Sequence, residues 1–249
     1  MAGTTTIQEF GSLQCRVVDR LEGRRPRLVV ILCHGFGAPG TDLVDLAQPF
    51  LDAAPEIANA VRFVFPAAPI DLASMGMPGG RAWWEINMEQ IATMHQTRDF
   101  NKLTEIEPPG LQSASSQLAT AVQQILDDAG LTENELFLGG FSQGAMVSTD
   151  IVLRTKLSPA ALVLMSGTMI CRDEWTQLAA DHPGVPVVQT HGTMDMVLPI
   201  GPAESLRDML NGNGFEVEYA SFAGPHTVPP EALQMTAQHL MHKLTESDS

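Results

Sequence analysis

The chain of 249 residues predicts an α/β fold, a mostly parallel central sheet with helices on both faces. Three observations carry that prediction. Short apolar runs alternate with segments whose apolar residues recur at helical spacing. Several runs, Leu28-Val29-Val30-Ile31-Leu32-Cys33 above all, are apolar throughout, as strands covered on both faces must be. Hydrophobic residues make up 44% and charged residues 17%, the composition of a globular chain with a substantial core.

Taken in order, strands are expected at residues 13–19, 28–33, 62–65, 135–139, 161–165, 186–190 and 217–222. Helices are expected between them. Residues 42–54 form the first. In 112–129 Leu118, Val122, Ile125, Leu126 and Ala129 share one stripe, and Gly130 stops the helix. A helix over 145–153 follows the fourth strand, and 203–210 forms another. The last, 231–244, follows Pro229-Pro230 and puts Leu233, Ala237, Leu240, Met241 and Leu244 on one face. With no repeat, low-complexity linker or composition break, residues 1–249 read as one domain. The stretch 87–110 is long for a connection, with Met88, Met94, Phe100 and Leu103 among polar residues. It reads either as a lid-like, pocket-shaping insert or as a surface excursion.

Fourteen Lys and Arg face 29 Asp and Glu, a net charge of −15. That balance opposes nucleic acid and anionic membrane as partners. No apolar run approaches the ~20 residues needed to span a bilayer, so no stable membrane insertion is expected. The first ten residues lack a basic segment followed by an apolar one, and Cys15, Cys33 and Cys171 are an odd, sparse set. Both features point to a reducing, cytoplasmic setting. Cys33 reads as a small buried hydrophobe, and no Cys/His spacing suggests zinc.

The richest signal is Gly140-Phe141-Ser142-Gln143-Gly144. It stands between an expected strand and an expected helix, the setting that lifts a serine hydroxyl above a sheet on a strained turn. Loops after the carboxyl ends of parallel strands gather ligands. Three more such loops carry chemistry: His34-Gly35-Phe36-Gly37, the loop with Asp195, and the loop with His226. The order Ser142, Asp195, His226 is that of α/β-hydrolases. A serine needs a base to take its proton, and histidine titrates near neutrality, so His226 is the candidate base. Asp195 is the candidate that orients its ring; Asp173 and Asp181 are rivals that do not directly follow a strand. A tetrahedral oxyanion needs two donors, for which the N–H groups of Gln143 and Phe36 are placed. His34 and His191 read as structural residues, His239 and His242 as solvated, and His95 and His182 as loop residues.

Beyond these residues the chain resembles the acyl-protein thioesterase, lysophospholipase and small carboxylesterase group of α/β-hydrolases. The likeness rests on Leu32-Cys33-His34-Gly35-Phe36-Gly37, Pro66-Ala67-Ala68-Pro69, Gly80-Arg81-Ala82-Trp83-Trp84-Glu85-Ile86, the Gly139–Gly144 run, the nine residues from His191 to Pro199, and Gly224-Pro225-His226-Thr227. It departs where Glu85 stands for the usual Asp and where Ala38-Pro39-Gly40 follows the oxyanion glycines.

The resemblance implies an α/β-hydrolase fold without a large cap domain and without a cofactor or metal. It implies cleavage of carboxylic esters or thioesters by Ser142, Asp195 and His226, with an oxyanion hole from Phe36 and Gln143. Trp84 is expected to line the acyl site. Met194 and Met196, among 13 methionines, are expected to add a soft apolar wall beside it. A small-molecule ester of short or medium acyl chain is the expected substrate. Lysophospholipase or acyl-protein thioesterase activity is the alternative, a non-catalytic small-molecule receptor a further one, and a homodimer is a partner the family allows.

Overall fold

The run Leu28–Cys33 is buried at every position, which only a central strand covered on both faces permits. The computed structural model describes residues 3–97 and 99–246, and in helices within 88–101 the side chains of Met88, Gln90, Ile91, Ala92, His95 and Asn101 lie outside the described set. In chain order the elements are β1 (Thr4–Phe10), β2 (Leu13–Asp19), β3 (Leu28–Cys33), α1 (Ala47–Ala53), α2 (Pro55–Ala60), β4 (Val61–Pro66), β5 (Ile70–Asp71) and β6 (Arg81–Ala82). Then come α3 (Met88–Thr97), α4 (Asn101–Glu105), α5 (Leu111–Ala129), β7 (Leu136–Phe141), α6 (Gln143–Thr155), β8 (Ala161–Met165) and α7 (Arg172–Ala180). The chain closes with β9 (Pro186–Gly192), α8 (Ile200–Gly212), β10 (Glu216–Phe222) and α9 (Pro230–Glu246).

Among the described residues eight strands form one sheet in the order β1-β2-β4-β3-β7-β8-β9-β10. The run from β4 to β10 is parallel, and β1 and β2 join antiparallel at one edge. This is the α/β-hydrolase arrangement, with β3, β7 and β8 at its centre. One apolar layer packs α5 and α6 against β3 and β7, and another packs α1, α2 and α9 on the opposite face. No helix among the described residues is long and apolar enough to cross a membrane.

The observed elements extend the expected ones where polar residues hid them. β1 was not expected because Thr4-Thr5-Thr6-Ile7-Gln8-Glu9 is polar and largely exposed; pairing with β2 in register Phe10↔Leu13 makes it a strand. The helix expected over 42–54 is a short 3-10 turn at Val44–Leu46 followed by α1, and Pro55 opens the separate α2. The stretch 87–110 holds α3 and α4, so His95 lies in a helix and not in a loop. α7 also went unforeseen, because only Trp175 and Ala179 of it are buried.

One polar cluster ties the helices behind the centre of the sheet. Asp150 is fully buried, and its carboxylate accepts from Ser115 Oγ (2.5 Å), Trp175 Nε1 (2.8 Å) and Arg154 Nε (2.8 Å). Arg154 also grips Glu174 with two bonds of 2.6 and 2.9 Å. α5, α6 and α7 are thereby joined through one satisfied charge network.

Candidate active site

Ser142 occupies the single position between β7 and α6, with φ 56° and ψ −119°. A side chain seldom adopts those angles, so the turn is held by its surroundings. Two glycines make the turn possible. A Cβ at Gly140 would lie 2.2 Å from the Cys33 carbonyl oxygen, and one at Gly144 only 1.9 Å from it. The elbow is pressed against the end of β3, and no larger residue fits there. Ser142 N–H still donates to Met165 C=O at 2.9 Å, which fixes it to β8.

The His34–Gly37 loop passes directly over the elbow. A Cβ at Gly35 would lie 3.2 Å from Ser142 Cβ. Gly37 N–H donates to Arg81 C=O (2.9 Å), and Arg81 N–H donates to Ala38 C=O (3.0 Å), so β6 holds the far side of the loop. Among the described residues, the N–H groups of Phe36 and Gln143 have no protein acceptor. The Gln143 N–H belongs to the first turn of α6, where the partial positive charge of the helix collects.

Asp195 is buried in the loop after β9. Its Oδ1 accepts N–H bonds from Val197 and Leu198, each at 2.8 Å. Its Oδ2 lies 2.6 Å from Nδ1 of His226. Burial works against the carboxylate, but the hydrogen bonds from His226, Leu198 and Val197 outweigh it and hold the Asp195 carboxyl below its usual range. The His226 ring tilts against Phe141, the residue before Ser142, with centroids 4.6 Å apart. His226 and the Ser142 turn are therefore neighbours, although among the described residues the Asp195–His226 contact is hydrogen-bonded and the Ser142–His226 contact is not. Catalytic hydrogen bonds in an unliganded site are often long and tighten with substrate.

The remaining expected residues fall in two groups. Trp84 is a core residue, 4% exposed, and its carbonyl accepts from Gln143 Nε2. Met194 and Met196 are 57% and 78% exposed on the Asp195 loop, and Met75 is 44% exposed. Met94, Met165 and Met169 are core residues. The rivals Asp173 and Asp181 lie at the start of α7 and just past its end.

The histidines sort by environment. His34 is buried, with Nδ1–H donating to Gly35 C=O (2.8 Å) and Nε2 accepting Ala68 N–H (3.0 Å). Burial depresses its basicity, and the neutral ring is a fixed strut. His191, likewise depressed by burial, donates from Nε2 to Leu198 C=O at 2.7 Å. That nitrogen also lies 3.4 Å from Asp195 Oδ2, a contact that sequence spacing did not single out. His182 lies in a loop, as expected, where it binds Leu157 C=O and stacks on Phe215. His239 and His242 pair with Glu218 and Glu246. Cys33 precedes the loop but is fully buried, and burial pushes its thiol far above its ordinary value, so it offers no competing nucleophile.

The arrangement gathers a serine hydroxyl on a strained turn, a histidine–carboxylate pair and two N–H groups without a protein acceptor, the groups that acyl transfer requires. The profile of the phospholipase/carboxylesterase family matches residues 15–244. The chain is 27% identical to acyl-protein thioesterase 1 of Eremothecium gossypii over 188 residues, covering 75% of this chain and 74% of that one. It is 27% identical to acyl-protein thioesterase 1 of Cryptococcus neoformans over 236 residues, covering 86% and 92%. Its structure is similar to the crystal structure of esterase PE8, with a TM-score of 0.74 at 26% identity, covering 91% of this chain and 96% of that one.

Proposed function

We propose, from the premise that the chain belongs to the phospholipase/carboxylesterase family, that it hydrolyses carboxylic esters through an acyl-serine intermediate. Ser142 Oγ attacks the ester carbonyl while His226 Nε2 takes its proton. Asp195 accepts from Nδ1–H and fixes the tautomer this requires. The N–H groups of Phe36 and Gln143 receive the oxyanion, each worth about a hundred- to a thousandfold in rate. The intermediate collapses, and His226 returns its proton to the departing alkoxide. Water then enters by the same route, with His226 as base, and releases the acid.

The observation that carries this reading is the strained Ser142 turn beside a 2.6 Å Asp195–His226 bond. Met194 and Met196 extend an apolar wall from the Asp195 loop, and short or medium acyl chains are the preferred substrates in this reading. Trp84 packs in the core with its carbonyl bound by Gln143, and in this reading it stands behind the acyl site. A second reading, thioester or lysophospholipid cleavage, is favoured by the curated relatives, which are acyl-protein thioesterases, and by the exposure of Met194, Met196 and Val197 on the Asp195 loop. Residues 1–249 act as one domain in this reading, with 87–110 shaping the pocket. The packing of Met94 and the bond from Cys171 N–H to Ile106 C=O (3.1 Å) support it. Three buried free cysteines support a cytoplasmic site of action.

The test is hydrolysis of a chain-length series of p-nitrophenyl esters beside Ser142→Ala. Activity that peaks at short chains and vanishes in the variant supports the carboxylesterase reading. A rate rising with long chains favours the second. Equal activity in both proteins removes Ser142 from the mechanism.

A further inference from the structure

Gln143 contributes more than its N–H. Its side chain is 1% exposed and makes two hydrogen bonds to one dipeptide. Oε1 accepts Trp83 N–H at 2.9 Å, and Nε2 donates to Trp84 C=O at 2.9 Å. The carboxamide thus pairs with the backbone as a neighbouring strand would. Turned over, it would set oxygen against oxygen and nitrogen against hydrogen-bearing nitrogen.

The segment it grips reaches the other oxyanion donor. Trp83 Nε1 donates to His34 C=O at 3.0 Å, and Arg81 exchanges two backbone bonds with Gly37 and Ala38. The Arg81 guanidinium binds the carbonyls of Ala68 and Pro69, and Ala68 N–H returns to His34 Nε2. Phe36 is therefore bracketed: Trp83 holds the chain two residues before it, and Arg81 holds the chain one residue after. The same strap, Arg81–Trp84, is fixed at its far end by Gln143.

We infer that the Gln143 carboxamide, with Trp83 and His34, is a positioning device that sets the separation of the two oxyanion donors. The donors lie at the ends of β3 and β7, adjacent strands whose loops could otherwise shift independently. A strap joined to both makes them one rigid unit, and preorganised donors stabilise an oxyanion without rearranging during reaction. The inference rests on the proposed site, and deepens it by naming what holds the hole in shape.

The experiment compares wild type, Gln143→Met and Trp83→Phe. Gln143→Met keeps the backbone N–H and the side-chain length while removing both side-chain bonds. Trp83→Phe removes the indole N–H to His34 C=O and keeps an aromatic ring. Turnover is measured per active site, counted by fluorophosphonate titration, with an alkyl boronic acid as tetrahedral mimic and the matching primary amide as ground-state ligand.

Gln143→Met is expected to lose about 10- to 100-fold in kcat, as misplacement by about 1 Å does, with KM nearly unchanged. The boronate Ki should rise by a similar factor while amide binding stays level. Trp83→Phe should move both quantities in the same direction by less. Unchanged kcat per titrated site and unchanged boronate Ki in both variants, with only lower thermal stability, overturn the inference. If Gln143→Met does not fold, Trp83→Phe alone decides. Full turnover by Ser142→Ala would strike at the site itself, a different failure from that of the strap.

Discussion

Replacing Ser142 by glycine should leave the protein more stable than replacing it by alanine, with activity abolished in both. Ser142 holds φ 56° and ψ −119°, angles close to a turn position that glycine dominates. Holding a side chain there costs about 1–3 kcal/mol, and the distance from the αL well puts this case toward the upper end. Glycine removes the Cβ and with it that strain. Against this, glycine gains freedom in the unfolded chain worth about 0.5–1 kcal/mol. It also forfeits the packing of one buried carbon, which sits 3.2 Å from where a Gly35 Cβ would be; that loss is about 0.8 kcal/mol at most. The balance leaves Ser142→Gly about 1 kcal/mol more stable than Ser142→Ala, the proper reference because alanine keeps the Cβ and loses only the hydroxyl. For a chain of this size that is about 2–4 °C in Tm. Urea unfolding of the two variants at equal m-value, with calorimetry beside it, reads the difference. A glycine variant no more stable than the alanine variant would mean that the elbow stores no strain.

Asp195→Asn should cost about ten-thousandfold in kcat with little loss of stability, since the amide oxygen can still accept from Val197 and Leu198 while the ring of His226 is held in the wrong tautomer. Steady-state kinetics and a melting curve check it together. Stability should decline as pH falls from about 7 to 5. His34, His182 and His191 are all held below their unfolded value of 6.5, first of all by burial, so the unfolded chain binds more protons below that pH and is favoured. Denaturant midpoints across that range test it, and a flat profile would refute it. Arg154→Leu should destabilise by about 3 kcal/mol, because it strips Asp150, a fully buried carboxylate, of its cation. Urea unfolding reads that loss, and a change below about 0.5 kcal/mol would class the pair with inconsequential surface ion pairs.

Much of the fold was legible in the sequence because its signals are local. Continuous apolar runs mark β3, β7 and β8, and apolar stripes mark α5 and α9. β1 and α7 were not, since their residues become ordered through partners distant in the chain: β1 through β2, α7 through Trp175 reaching Asp150. The setting of Ser142 was legible for the same local reason, as a serine between strand and helix with glycines where the backbone closes on Cys33. Asp195 and His226 could be chosen by their order after strands.

The sequence by itself determined the alternation of strand and helix, and the chemistry of each loop. Only the tertiary structure decided how those loops meet. Asp195 and His226 approach to 2.6 Å because β9 and β10 are adjacent and parallel, which puts their ends side by side. Gln143 proves to hold Trp83 and Trp84, and through them the loop after β3, because β7 lies next to β3. Such contacts depend on side-chain direction and strand order over separations of tens of residues. Periodicity, a property of neighbours along the chain, carries no record of them.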